Sequence, residues 1–134
     1  MMPQQPISAG SHAIIFDLKA LTQFDDTRPK ATILAETGAA QVVLLAMRAG
    51  QAVQDVETPS QIIVQCLRGR STLRIADSVH ALRAGLVGLV EANTPHAFVA
   101  STDCVLLLTL TPSPEHRPAH GLLADVAPLV VREE

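Results

Sequence analysis

The chain is a succession of short apolar segments, each broken by turn residues before it reaches helical length. Gln41 to Met47 is the clearest of them. Val42, Val43, Leu44 and Leu45 run without a polar interruption, as in a strand buried on both faces. Gln61 to Leu67 is rich in Ile and Val, and Arg68-Gly69-Arg70-Ser71 turns it into Thr72 to Ala76. There Leu73 and Ile75 fall on one face of a strand and Arg74 on the other. Ala13 to Leu18, Ala31 to Ala35, Ala52 to Glu57, Val79 to Leu82, Leu86 to Val90, His96 to Ala100 and Cys104 to Leu110 read as further strands. Strands recurring at roughly 8–12-residue intervals predict an all-β sandwich or barrel. No amphipathic helical stretch supplies the crossovers that a parallel sheet needs.

After Leu110 the character changes. Thr111 to Pro118 holds three prolines, which lack the N–H a central strand must donate. The expected organisation is an N-terminal arm and first strand over 1–30, a barrel core over 31–111, and a Pro-rich arm with an apolar tail over 112–134. A short helix or strand within Gly121 to Val131 would dock on the barrel or on a second subunit.

At 134 residues the chain is long enough for one domain with one core, and 48% hydrophobic against 17% charged residues supplies the apolar material. A net charge of -3, with basic residues scattered, argues against nucleic acid as a partner. Arg68, Arg70 and Arg74 read as a solvated hairpin edge. No run reaches the roughly 18 apolar residues of a membrane span, and Met1 to Gly10 lacks the pattern of a signal peptide. Cys66 and Cys104 lie inside apolar segments, so free buried thiols and a cytoplasmic location are expected. With no Trp, no Tyr and 3 Phe, a ligand would meet aliphatic walls.

Two glycine-led stretches, Gly50 to Gly69 and Gly85 to Ala100, share a layout of turn, apolar strand and turn. In this they resemble the cupin family, whose small β-barrels carry two such motifs. The family's first motif runs Gly, five residues, His, one residue, His, three or four residues, Glu, six residues, Gly. The second runs Gly, five residues, Pro, one residue, Gly, two residues, His, three residues, Asn. In the second, Gly85 and His96 match, Glu91 stands for the proline, Asn93 for the inner glycine and Ala100 for the asparagine. In the first, Gly50 and Gly69 match, but Val56 and Thr58 stand for the histidines and Ile62 for the glutamate. The resemblance implies a jelly-roll barrel of two antiparallel sheets and a homodimer, in which Ala13 to Leu18 and Leu129 to Val131 can pair across subunits.

Three of the four metal ligands that the resemblance implies are thus replaced. His96 is the leading candidate for any site, as a hydrogen-bonding or acid/base group in the barrel mouth. Val56, Thr58 and Ile62 are expected to line the pocket with it, and Gln65 (with Gln61) to offer a polar tooth. Glu57 and Asp55, if a bulge or one-residue slip turns them inward, and His80, which shares a face with Leu82 in a regular strand, are the substitutes for the missing ligands. Glu91 can reach His96 from its turn, and His116 and His120 flank the proline-rich arm. The leading expectation is a metal-free barrel that binds or senses a small molecule, with no cofactor. The alternatives are a divalent-transition-metal enzyme of isomerase or oxygenase type using His96, Glu57 and His80, and a non-catalytic structural dimer whose pocket is filled by its own side chains.

Overall fold

The computed structural model describes residues 8, 9 and 12–114. Ser8–Ala9 (β1) and Ile14–Ile15 (β2) form a two-stranded ribbon separate from the main sheets. One helical turn, Leu18–Leu21 (α1), follows. The first strand expected over Ala13 to Leu18 is therefore cut to two residues. Asp17 is the reason: its carboxylate accepts from the Ala20 N–H at 3.1 Å and caps a run of good helix formers.

The barrel strands are β3 (Lys30–Glu36), β4 (Gln41–Met47), β5 (Ala52–Val56), β6 (Gln61–Arg68), β7 (Arg70–Ile75), β8 (Ser78–Arg83), β9 (Val87–Val90), β10 (His96–Ala100) and β11 (Cys104–Thr111). They form a five-stranded sheet, β3-β4-β11-β6-β9, and a four-stranded sheet, β5-β10-β7-β8. All the pairings are antiparallel. The all-β barrel expected from the strand spacing is observed, as the two antiparallel sheets of the jelly-roll that the cupin resemblance implies. Among the described residues no helix is long and apolar enough to cross a membrane.

Strand alternation decides what each sheet buries. Val43, Leu45 and Met47 of β4, Ile62, Val64 and Cys66 of β6, and Leu106, Leu108 and Leu110 of β11 face inward. They meet Val53 and Val56, Leu73, Leu82, and Phe98 from the four-stranded sheet. A bulge tunes one strand of this set. Phe98 pairs with Val53 and His96 with Val56, so β5 carries one extra residue between those pairs. That is why Val53 and Val56, three apart, both lie at 0% exposure inside.

The outer face of the five-stranded sheet holds a second apolar cluster. Phe16, Leu18, Leu21 and Phe24 of the N-terminal segment pack on Leu34, Leu44, Ala46 and Val105. Arg48 fastens this segment. Its guanidinium reaches Asp26 and Asp103, both at 3.0 Å, and lies 4.6 Å from the centre of the Phe24 ring. The cover reaches the Leu67–Arg68 end of β6 but not β9, where Val87 and Leu89 remain 62% and 56% exposed.

The chain passes from the five-stranded to the four-stranded sheet at Gly69, between β6 and β7. Its φ is +76°, and a Cβ there would lie 2.0 Å from the Asp103 carbonyl oxygen. Gly50 has φ +89° but open space around it. Gly69→Ala should therefore cost about 3 kcal/mol or more and Gly50→Ala about 1 kcal/mol in urea unfolding. Equal losses would show that the Asp103 backbone gives way freely.

Candidate functional site

His96 opens β10 directly after the turn 91–95. That turn is held by Asn93, whose φ of 61° supplies the left-handed conformation usually given to glycine. The Asn93 N–H donates to the Thr58 carbonyl at 2.7 Å, tying the turn to the loop 57–60. Pro95 then delivers the chain into β10, with His96 opposite Val56.

The ring of His96 is fixed from two sides. Its Nδ1 lies 2.8 Å from the Thr94 carbonyl oxygen. A carbonyl has no proton to give, so Nδ1 carries the hydrogen and donates it. The ring also meets Phe98 edge to face, with centroids 5.4 Å apart and an interplanar angle of 76°. His96 is 3% exposed, and its Nε2 is buried with no hydrogen-bond partner. Burial pushes its pKa below the usual 6.5, and the bond to Thr94 opposes this only in part. At neutral pH the ring is uncharged, and Nε2 is a bare acceptor in an apolar interior.

A second orphan lies at the same end of the barrel. Gln41 opens β4 and has the parity of Val43, Leu45 and Met47, so it belongs to the inward face. It is 2% exposed, and its Oε1 has no partner. Gln41 pairs with Leu110, Leu110 with Ile62, and Ile62 with Val90, the residue just before the turn that leads to His96. Both side chains thus enter the shared interior from the end formed by the loops 37–40, 57–60 and 91–95. The sequence reading missed Gln41. Its signal was present, as a polar residue in step with three core residues.

The other expected site residues divide sharply. Val56, Thr58 and Ile62 are buried, at 0%, 6% and 0% exposure. The Thr58 Oγ1 accepts from the Ser60 N–H at 3.2 Å, and the Ser60 hydroxyl donates to the Pro112 carbonyl. These polar groups serve the loop. Gln65 does not line the interior: Ile62, Val64 and Cys66 take the inward face of β6, which sends Gln61, Ile63 and Gln65 outward. Glu57, His80 and Glu91 are exposed, so the bulge in β5 turns Val53 inward and not Glu57. The side chain of Asp55, and all of His116, His120 and the tail Gly121 to Val131, lie outside the described residues. Cys66 and Cys104 are free and buried, and burial pushes the Cys104 thiol up to about 12.

This donor set does not fit a divalent metal. The Nδ1–H bond to a carbonyl is how a ligating histidine is commonly oriented. But Val56 and Ile62 have no donor atom, and the Thr58 hydroxyl is engaged. Among the described residues no three His, Cys, Asp or Glu side chains come together in a way that holds a metal.

No protein-family model matches the chain, and no curated protein matches it. Solved structures do. An RmlC-like cupin protein from Desulfovibrio desulfuricans is 26% identical, over 69% of this chain and 90% of that one, with a TM-score of 0.63. A protein with a double-stranded β-helix domain from Klebsiella pneumoniae is 18% identical over 80% and 96%, with a TM-score of 0.70. A cupin superfamily protein from Desulfitobacterium hafniense is 18% identical over 80% and 97%, at 0.68.

The lowered pKa of His96 sets a pH dependence. Its proton is bound less readily in the folded than in the unfolded chain. The stability this contributes is complete above about pH 6.5 and is lost as pH falls toward the folded value. Urea midpoints should fall between about pH 7.5 and 5.5 in the wild type, and distinctly less in His96→Asn. Identical slopes in the two proteins would mean that His96 titrates like an exposed ring.

Proposed function

The chain has the cupin fold, and on that premise we propose that it binds a small, largely apolar molecule inside the barrel without a metal. One observation carries the reading: the buried Nε2 of His96 is an acceptor with no partner. Leaving such a group unpaired costs on the order of 1–3 kcal/mol, and a ligand that donates a hydrogen bond there recovers much of it. Gln41 Oε1 adds a second acceptor at the same end. The ligand therefore carries one or two donors, as an alcohol or an amide N–H does, on an aliphatic body that suits Val53, Val56, Ile62 and Leu110. Two acceptors, with no Lys or Arg buried among the described residues, disfavour a carboxylate or phosphate in this place. The role that follows is a binding or sensing protein.

We also propose that the chain works as a homodimer. The exposed apolar pair Val87 and Leu89 on the outer face supports this, as do the exposed Ile14 and Ile15 within the Ala13 to Leu18 stretch expected to pair across subunits.

Cyclohexanol and methoxycyclohexane test the site, because they share a ring and differ in the donated hydrogen. Calorimetric titration should give saturable binding of cyclohexanol, with methoxycyclohexane about tenfold weaker or worse. Gln41→Leu should raise unfolding stability by about 1 kcal/mol while weakening cyclohexanol binding, since it removes an orphan acceptor that only a ligand satisfies. Equal binding of the two probes would overturn the reading. So would stoichiometric metal in the purified protein that is lost in His96→Ala.

A further inference from the structure

A second concavity lies on the other side of the five-stranded sheet, where α1 meets β6 and β11. It has a volume of about 610 Å³ and is lined by Leu18, Lys19, Thr22, Leu67, Arg68 and Val105. That volume falls within the range of small-molecule sites, roughly 300–1,000 Å³. The site is distinct from the one around His96. Leu67 and Val105 belong to the outward faces of their strands, and the sheet itself separates the two.

The lining is apolar in its floor, and its polar groups are the basic Lys19 and Arg68 and the neutral Thr22, whose hydroxyl donates to the Leu18 carbonyl. Leu18, Leu67 and Val105 offer aliphatic surface. Lys19 and Arg68 have no ion-pair partner among the described residues; the ion pairs formed there both belong to Arg48. Arg68 lies near Asp103, but that carboxylate is already engaged. One oxygen accepts from Arg48 at 3.0 Å and the other from the Ala49 N–H at 2.9 Å. The guanidinium of Arg68 instead lies 5.4 Å from the centre of the Phe24 ring. A planar, permanently charged donor set so held is suited to receive an oxyanion.

We propose that this concavity binds a single-chain amphiphile with an anionic head, of the class of a medium-chain fatty carboxylate. The alkyl chain lies on Leu18, Leu67 and Val105, and the carboxylate meets Arg68 and Lys19. A compact polar anion would leave the aliphatic floor wet, and a neutral hydrocarbon would leave both cations unused. A membrane surface fits less well, because lipid headgroup recognition draws on clusters of 4–8 basic residues and this chain has a net charge of -3.

Methyl-resolved NMR of the full chain with sodium decanoate, kept below its micelle concentration, is the test. The Leu18, Leu67 and Val105 methyl signals should move saturably while the Val56 and Ile62 signals stay. Arg68→Gln should weaken decanoate about tenfold, and 1-decanol should bind the wild type about as weakly as decanoate binds that variant. Lack of saturable shifts would overturn the proposal, as would equal affinity for decanoate and decanol. Shifts at Leu67 that follow protein dilution and ignore decanoate would show that a second copy covers the face. Shifts confined to Val56 and Ile62 would place decanoate in the barrel, which would also overturn the proposal without touching the reading of His96.

Discussion

All nine barrel strands turn one face onto a single apolar interior, and the rest of the molecule follows from that. The two sheets hold together because Phe98, Leu45, Met47, Ile62, Leu106 and Leu108 have no other place to leave water. Full burial of each such side chain stabilises the fold by about 1.5–3 kcal/mol relative to exposure. In an interior so uniform a polar atom without a partner is expensive. Among the described residues two are present, on His96 and Gln41, and both enter from one end. The barrel thus keeps its unmet hydrogen-bonding capacity in one region.

The loops at that end keep this capacity open. Thr58 and Ser60 are also buried and polar, yet their groups bond to the backbone and to each other's loop. They stabilise the turn that positions His96 and leave its ring alone. The Thr94 carbonyl then selects the tautomer. With Nδ1 committed as donor, Nε2 has only acceptor character, and the low polarity around it keeps the ring uncharged. A group in that state can orient a donor-bearing molecule. It is poorly suited to hold an anion.

Much of this was legible in the residues, and the boundary is instructive. Gln41 to Met47 and His96 to Ala100 are strands with the limits their apolar runs suggest. Asn93 does hold the left-handed turn that its place in the second glycine-led stretch required. Parity could have settled Gln65: a side chain three residues from Ile62 cannot share its face in a regular strand. Val53 and Val56 could not be read this way, because an extra residue in β5 suspends alternation between them. Asp17 hid a helical turn inside an apolar run, since a cap acts through one hydrogen bond that hydropathy does not register. Gln41 was overlooked because polarity at a strand end reads as solvent exposure until the opposite sheet is in place.

The protonation state of His96 is the most direct test of this account. Nitrogen-15 NMR of the imidazole at pH 7 distinguishes a protonated from a bare ring nitrogen at each position. The account predicts an uncharged ring with the hydrogen on Nδ1, a bare Nε2, and an Nε2 signal that moves when cyclohexanol is added. A charged ring, the opposite tautomer, or an Nε2 already hydrogen-bonded and indifferent to cyclohexanol would contradict it.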